Sequence, residues 1–250
     1  MNKIVSVINK MLPVTGYQIS PVTSYKYHAE LEFWKNELIK YQKWYNNEIT
    51  EHYGEPSPKD EEKIKKHSLK DSAILTWFNI HQQIKYIEDL SLDKKAFSGM
   101  KILDIGSGPF PSALVFEECE LYCLDPLISC YIEAGFPVHY YDGVKFICGF
   151  SEKIPTDDNF FDAVISVNAI DHVDDFFKTA LEIKRVLKPN GKLRMHIHYH
   201  KKTQTEPIEL NDEIVKSAFG WCTNFCKIKE SKVKRGTVLN NDESYTLWSN

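Results

Sequence analysis

The spacing of apolar residues changes character once along this chain. From Tyr27 to Ile49, Leu31, Phe33, Trp34, Leu38, Tyr41, Trp44 and Tyr45 recur mostly at three- and four-residue steps, which predicts one long amphipathic helix. Gly54-Glu55-Pro56-Ser57-Pro58 interrupts it. A second helix is predicted from about Lys63, with Ile74, Leu75, Phe78, Ile84, Ile87 and Leu90 as its apolar set. Beyond residue 95 short apolar runs replace this pattern. Strands are predicted from Lys101 into Ile105, over Leu121 to Leu124, over Val144 to Gly149, over Phe160 to Ser166 and over Lys192 to Tyr199. Helical stretches are expected between them, from Pro111 to Glu118 and from Asp174 to Leu187, the latter with Phe177, Leu181 and Val186 among its apolar positions. Lys188-Pro189-Asn190-Gly191 closes that last helix with a turn. Asn211 caps a helix to Phe219, and residues 223–233 and 242–249 form a terminal antiparallel hairpin. Strands alternating with helices predict an α/β fold with a mostly parallel sheet. A helical extension over residues 1–95 precedes this core, which occupies residues 96–250.

Composition is compatible with that architecture and narrows the partners. The 250 residues are 42% hydrophobic and 26% charged, as in a globular domain with an ample core. No run approaches the roughly 18 apolar residues of a membrane helix. Met1 to Leu12 mixes apolar residues with Lys, Asn and Ser, unlike a signal-peptide core, so a cytoplasmic location and no membrane partner are expected. The net charge of −4 does not advertise nucleic-acid binding. The most basic segment, Lys227 to Arg235, is interrupted by Glu230 and reads as the solvated face of an edge strand. Of the six cysteines, the pairs Cys119/Cys123 and Cys222/Cys226 lack C-x-x-C spacing and read as small core residues in a reducing compartment.

The candidate chemistry begins at Leu103-Asp104-Ile105-Gly106-Ser107-Gly108-Pro109. A strand runs into an acid and two glycines, which turn the backbone tightly and let a ligand approach it. Pro109 suits a first helical turn. A dinucleotide site calls for a third glycine where Pro111 stands, and no P-loop Lys follows. The run resembles instead the first motif of class I S-adenosylmethionine-dependent methyltransferases. Further segments agree in order: Asp125-Pro126 ends the second strand, Phe150-Ser151-Glu152-Lys153-Ile154-Pro155 follows the third, Phe161-Asp162 leads the fourth, and Asn168-Ala169-Ile170-Asp171-His172-Val173 follows it. The resemblance implies a Rossmann-like methyltransferase sheet with S-adenosylmethionine as cofactor. Gly106, Ser107 and Gly108 would then cradle its amino-acid end, with Asp104 reaching the ammonium directly or through water. Asp125, beside Pro126, would hold the ribose hydroxyls, since a carboxylate can accept from both. Ser151 and Glu152 would lie near the adenine, and Asn168 and Ile170 would flank the sulfonium.

His172 is the candidate base, because imidazole can take up a proton near neutral pH and its loop faces the transferable methyl in this family. The position resembles the histidine of phosphoethanolamine-type and many sugar O-methyltransferases. In small-molecule methyltransferases an N-terminal segment commonly closes the site, so Tyr25, Tyr27 and His28 are candidate substrate contacts. His196, His198 and His200 alternate along one strand and share a face. Same-face steps of about 6.6–6.8 Å hold the outer pair too far apart for one ion unless the strand bends, so no metal is assigned and His198 and His200 are read as polar substrate lining. Asp171, Asp174 and Asp175 give no firm ligand spacing. The Asp125-Pro126-Leu127 segment and the aromatic prelude look similar to methyltransferases of bacterial surface-glycan and polysaccharide pathways. The expected acceptor is therefore a small molecule, a sugar, phosphosugar or related precursor. N-methylation of an amine or phosphate-linked amine is the alternative within the class. A non-catalytic cofactor-binding regulatory subunit, and RNA or protein methylation, are alternatives outside it.

Overall fold

The computed structural model describes residues 25–203, 205–234 and 237–250. Met1 to Leu12 and Arg235 lie outside the described residues.

Helix α1 (Tyr25–Tyr45) buries Tyr27, Leu38, Tyr41, Trp44 and Tyr45 along one face, while Phe33 and Ile39 stay exposed. A two-strand ribbon follows, β1 (Glu51–His52) paired with β2 (Glu55–Pro56), and its carbonyls accept the Trp44 indole N–H. Ser68 caps α2 (Leu69–Trp77), whose start lies later than the expected Lys63 because the Ser68 hydroxyl captures the Asp71 N–H. A π-helical turn (Phe78–Gln82) then widens the coil before α3 (Gln83–Leu90), ended by Ser91 in the left-handed conformation.

The main sheet has the order β5-β4-β3-β6-β7-β11-β8. Its parallel strands are β3 (Lys101–Ile105), β4 (Glu120–Leu124), β5 (Val144–Ile147), β6 (Phe161–Val167) and β7 (Leu187–Tyr199). The last strand, β11 (Ser244–Ser249), inserts antiparallel between β7 and β8 (Cys226–Ser231), which completes the expected terminal hairpin. A two-residue pair, β9 (Val233–Lys234) with β10 (Thr237–Val238), connects them. From β3 the chain winds outward to β4 and β5, then returns to β6 on the other side. That reversal opens a crevice beyond the carboxyl ends of β3 and β6, where ligands bind in open α/β sheets.

Two apolar layers sandwich the sheet. One joins Tyr41, Trp44 and Trp77 of the helical prelude to Ile102, Leu121 and Tyr131 of α4 (Ile128–Ala134). The other packs α5 (Phe176–Val186) and α6 (Asp212–Ala218) against Leu103, Val164 and Met195.

Several expected elements are corrected. Pro111 to Glu118 is no helix but a single 3-10 turn, Ser112–Val115, because Pro111 leaves the helical region with ψ 67°. Helix α3 packs on that turn and covers the sheet face beside it. Asp175 caps α5, so Phe176, Thr179, Ala180, Ile183 and Val186 face inward and Phe177 and Leu181 point outward. The turn at 188–191 is absorbed into β7 as an irregularity, with Leu187 opposite Phe161 and Lys192 opposite Ala163. Cys226 is exposed on the edge strand, whereas Cys123 is buried, and all six cysteines are free.

Candidate active site

The crevice holds a cavity of about 410 Å³ enclosed by the loops after β3, β4, β5 and β6 and by α1. After β3 the backbone turns through Gly106 at φ 71° and Gly108 at φ 63°. A Cβ on Gly106 would stand 2.2 Å from the Cβ of Ala169, so the loops after β3 and β6 touch here with no room for a side chain. Gly106, Ser107 and Gly108 line the cavity floor, and Trp34 of α1 closes over Gly108. Trp34 is braced edge-on by Phe110 at 5.8 Å and Phe136 at 6.2 Å.

Asp104 is fully buried and does not line the cavity. Of the two expected routes to the ammonium, direct or through water, the direct one is closed to it. The Tyr86 hydroxyl, from α3, lies between, 3.1 and 2.9 Å from the two carboxylate oxygens, and Tyr86 lines the cavity in its place. Burial pushes the Asp104 carboxyl up to about 8, against the lowering effect of the Tyr86 bond. Lys85 and Gln82, next to Tyr86 on the helix and its π turn, also line this end.

Asp125 ends β4 and is 4% exposed, on the cavity wall with Pro126. Its Oδ2 accepts the Gly108 N–H at 3.0 Å and its Oδ1 accepts the Leu127 N–H at 2.8 Å. Each oxygen keeps a further lone pair for a ligand hydroxyl. Burial, then the nearby Glu30 charge, raise its pKa while the two N–H bonds pull it down. Ser151 and Glu152 line the wall beyond β5. The Ser151 hydroxyl lies 3.1 Å from that of Thr179, and Glu152 accepts the N–H groups of Asp174 at 2.7 Å and Asp175 at 3.2 Å. Glu152 thus ties its own loop to the one carrying His172.

Asn168 lines the cavity in the left-handed conformation, φ 53°, with a buried Oδ1 that has no hydrogen-bond partner. Ile170 does not line it; the side chain is fully buried among Leu103, Val164 and Phe176. His172 does line it, with Nε2 3.4 Å from Glu206 Oε1 and 3.8 Å from Asp171 Oδ2. The buried Lys26 ammonium donates to the His172 carbonyl at 2.7 Å and to Asp174 Oδ1 at 2.6 Å, pinning the start of α1 to this loop.

The first turn of α1 divides the expected substrate contacts. Tyr27 lines the cavity and packs edge-on to Phe150 at 5.6 Å, whereas Tyr25 and His28 are exposed outside it, because helical spacing turns only one of these side chains inward. His198 and His200 do not line the cavity either; Thr205 and Glu206 stand in front. Sequence reasoning missed Lys26, Trp34 as a wall, Lys85, Tyr86 and Glu206. Trp34 was visible as part of an aromatic stripe, but no local signal marks the others as facing a pocket that forms only in the folded chain.

The residues present fit S-adenosylmethionine. A side-chain-free cradle, a buried ribose-type carboxylate with spare acceptors and an unpartnered Asn168 oxygen converge on one cavity. Parallel strands in this order, with an antiparallel last strand and a glycine turn over the switch point, define the class I methyltransferase architecture. In sequence, residues 103–195 match the family described as Methyltransferase domain. Solved structures agree in fold. YcgJ from Bacillus subtilis has 17% identity and a TM-score of 0.50, covering 68% of this chain and 97% of that one. The putative methyltransferase complexed with the Trm112 activator of Haloferax volcanii has 15% identity and a TM-score of 0.50, covering 70% and 96%. Phosphoethanolamine N-methyltransferase 2 of Haemonchus contortus, in complex with phosphomonomethylethanolamine and S-adenosylhomocysteine, has 14% identity and a TM-score of 0.56, covering 72% of this chain and 56% of that one. No curated protein matches the chain in sequence. The fold is that of class I methyltransferases, and over residues 103–195 the sequence matches the methyltransferase-domain family. Among the described residues no helix is long and apolar enough to cross a membrane.

Proposed function

We propose that this enzyme methylates an oxygen or nitrogen of a small polar metabolite, with a sugar or related glycan precursor as the acceptor, and that His172 is its base. The observation that carries this reading is the enclosure of His172 in one small cavity with Asp125 and the glycine turn, under the aromatic wall of α1. About 410 Å³ falls within the range of small-molecule sites. Bound S-adenosylmethionine supplies a methyl group already activated on a positively charged sulfur. Gly106, Ser107 and Gly108 hold its amino-acid end, Asp125 accepts from its ribose, and Ser151 and Glu152 wall its adenine side. His172 Nε2 has no hydrogen-bond partner and takes the proton that the acceptor gives up as its oxygen or nitrogen gains the methyl. Positioning the acceptor is the larger contribution, on the order of 7–11 kcal/mol relative to free reactants. Residues 1–95 serve as the cap, with Lys26, Tyr27 and Trp34 as its working contacts, and the protein works in the cytoplasm.

A second reading rests on the charge of the lining. Among the described residues, Glu30, Asp125, Glu152 and Glu206 face Lys85 alone of the cavity-lining cations other than histidine, which favours a cationic amine over an anionic acceptor. Screening sugars, sugar nucleotides and amines for release of demethylated cofactor discriminates the two. With the acceptor found, His172→Ala is expected to lower kcat by about 10²–10⁴-fold while leaving cofactor affinity within two-fold. Wild-type turnover in that variant removes His172 as the base.

A further inference from the structure

Behind His172 the chain gathers a group that the transfer of a methyl does not require. Asp171, His198, His200 and Glu206 each offer a ligand atom, and these atoms all lie within 4.8 Å of one another. Asp171 is fully buried and neither of its oxygens has a hydrogen-bond partner. The Nε2 atoms of His198 and His200 are likewise buried and unpartnered. His198 lies in β7 and His200 one residue beyond its end at Tyr199, with their ring centroids 4.8 Å apart.

The tautomer of His200 is dictated by its neighbour. Its Nδ1 lies 2.7 Å from the Lys201 carbonyl, which can only accept, so Nδ1 carries the hydrogen. The lone pair of Nε2 then points at Asp171 Oδ2, 3.5 Å away. Two electron-rich groups at that distance need a cation between them, either a proton on Nε2 or a metal ion. A backbone carbonyl on the far nitrogen is also the usual brace of a metal-bound histidine. His198 is held flat against Tyr245 at 4.4 Å. Glu243 Oε2 is 3.7 Å from His198 Nε2. The Thr203 hydroxyl donates to Glu206 Oε2 at 3.1 Å, steadying the fourth ligand.

We propose that Asp171, His198, His200 and Glu206 form a binding site for a divalent transition-metal ion of the zinc, iron or manganese class at the acceptor end of the cavity. Two carboxylates balance its charge, and the mixed imidazole and carboxylate set suits these ions over calcium. Bonds of about 2.0–2.2 Å place tetrahedral donors about 3.3–3.6 Å apart, so the group closes by roughly an ångström around the ion. Glu206 and His172 both line the cavity, so the ion is positioned to hold an acceptor oxygen next to the base. That last role rests on the proposed function; the binding of the ion does not.

The test is titration of chelator-stripped full-length protein with Co²⁺, followed by visible absorption and metal analysis, with S-adenosylhomocysteine binding measured by calorimetry on the same samples. One Co²⁺ per chain is expected. Affinity should fall by about 10–100-fold in His198→Ala and in Glu206→Gln, and stay within two-fold in His196→Ala. Glu206 sits on a partly exposed loop, so Glu206→Gln remains informative if His198→Ala does not fold. Absence of stoichiometric binding, or binding that Glu206→Gln leaves intact, overturns the site. Loss of Co²⁺ binding with S-adenosylhomocysteine affinity intact leaves the proposed function standing, whereas the converse counts against that function alone.

Discussion

Replacing Gly106 by alanine separates two costs that the structure keeps distinct at different glycines. Gly143, at φ 81°, has nothing within 4 Å of a built Cβ, so Gly143→Ala introduces only left-handed backbone strain. That strain is about 1–2 kcal/mol, offset by about 0.4–1 kcal/mol from the stiffer unfolded chain. Gly106, at φ 71°, carries the same strain plus a Cβ placed 2.2 Å from that of Ala169. Carbon atoms pack at about 3.5–4.0 Å, so the loop after β6 must retreat by more than an ångström. Overpacking of this kind costs about 1–3 kcal/mol. Gly106→Ala should therefore be less stable than Gly143→Ala by about 1–3 kcal/mol, a gap of roughly 2–12 °C in Tm for a chain of this size. Because Ala169 precedes His172 by one short turn, Gly106→Ala should also weaken S-adenosylhomocysteine binding, while Gly143→Ala does not. Thermal melts of the ligand-free proteins and calorimetry of the ligand read both effects. Equal melting temperatures for the two variants would falsify the packing of the two loops at Gly106.

Two further predictions concern buried charge. Asp104 is raised from its ordinary 3.8 to about 8, so its contribution to stability is fully present below about pH 4 and is lost as pH rises through about 8. Asp104→Asn, which keeps an acceptor for Tyr86, should remove up to about 1.4 kcal/mol per pH unit of that slope between pH 4 and 8. Parallel stability curves for wild type and variant in urea titrations contradict this. Lys26→Met removes the ammonium that joins α1 to His172 and Asp174. Turnover should drop by about ten-fold or more, with faster proteolytic cleavage at the start of α1; unchanged values in both assays rule out the tether.

What could be read from the chain divides by range. The glycine turn, Asp125 and the parallel strands are local chemistry, since a strand ending in an acid or glycine pair carries its own signature. The Asn211 cap is equally local. Contacts between distant segments left no mark. Tyr86 bonds Asp104 across 18 residues, and Lys26 reaches His172 across 146. The short helix expected after the glycine turn is cut to one 3-10 turn because Pro111 leaves the helical region, and α3, from the distant prelude, packs on that turn. Strand spacing keeps His196 out of the group that His198 and His200 form, but Asp171 and Glu206, which join it, come from other loops and leave no mark in that row.

The most direct test of the cofactor site is calorimetric titration of S-adenosylhomocysteine into wild type and Asp125→Ala. One molecule per wild-type chain, with affinity at least about ten-fold weaker in a variant that still folds, is the expected result, corresponding to about 1.4 kcal/mol from a lost charged acceptor. Equal affinity in both proteins would place the ligand elsewhere and contradict the account.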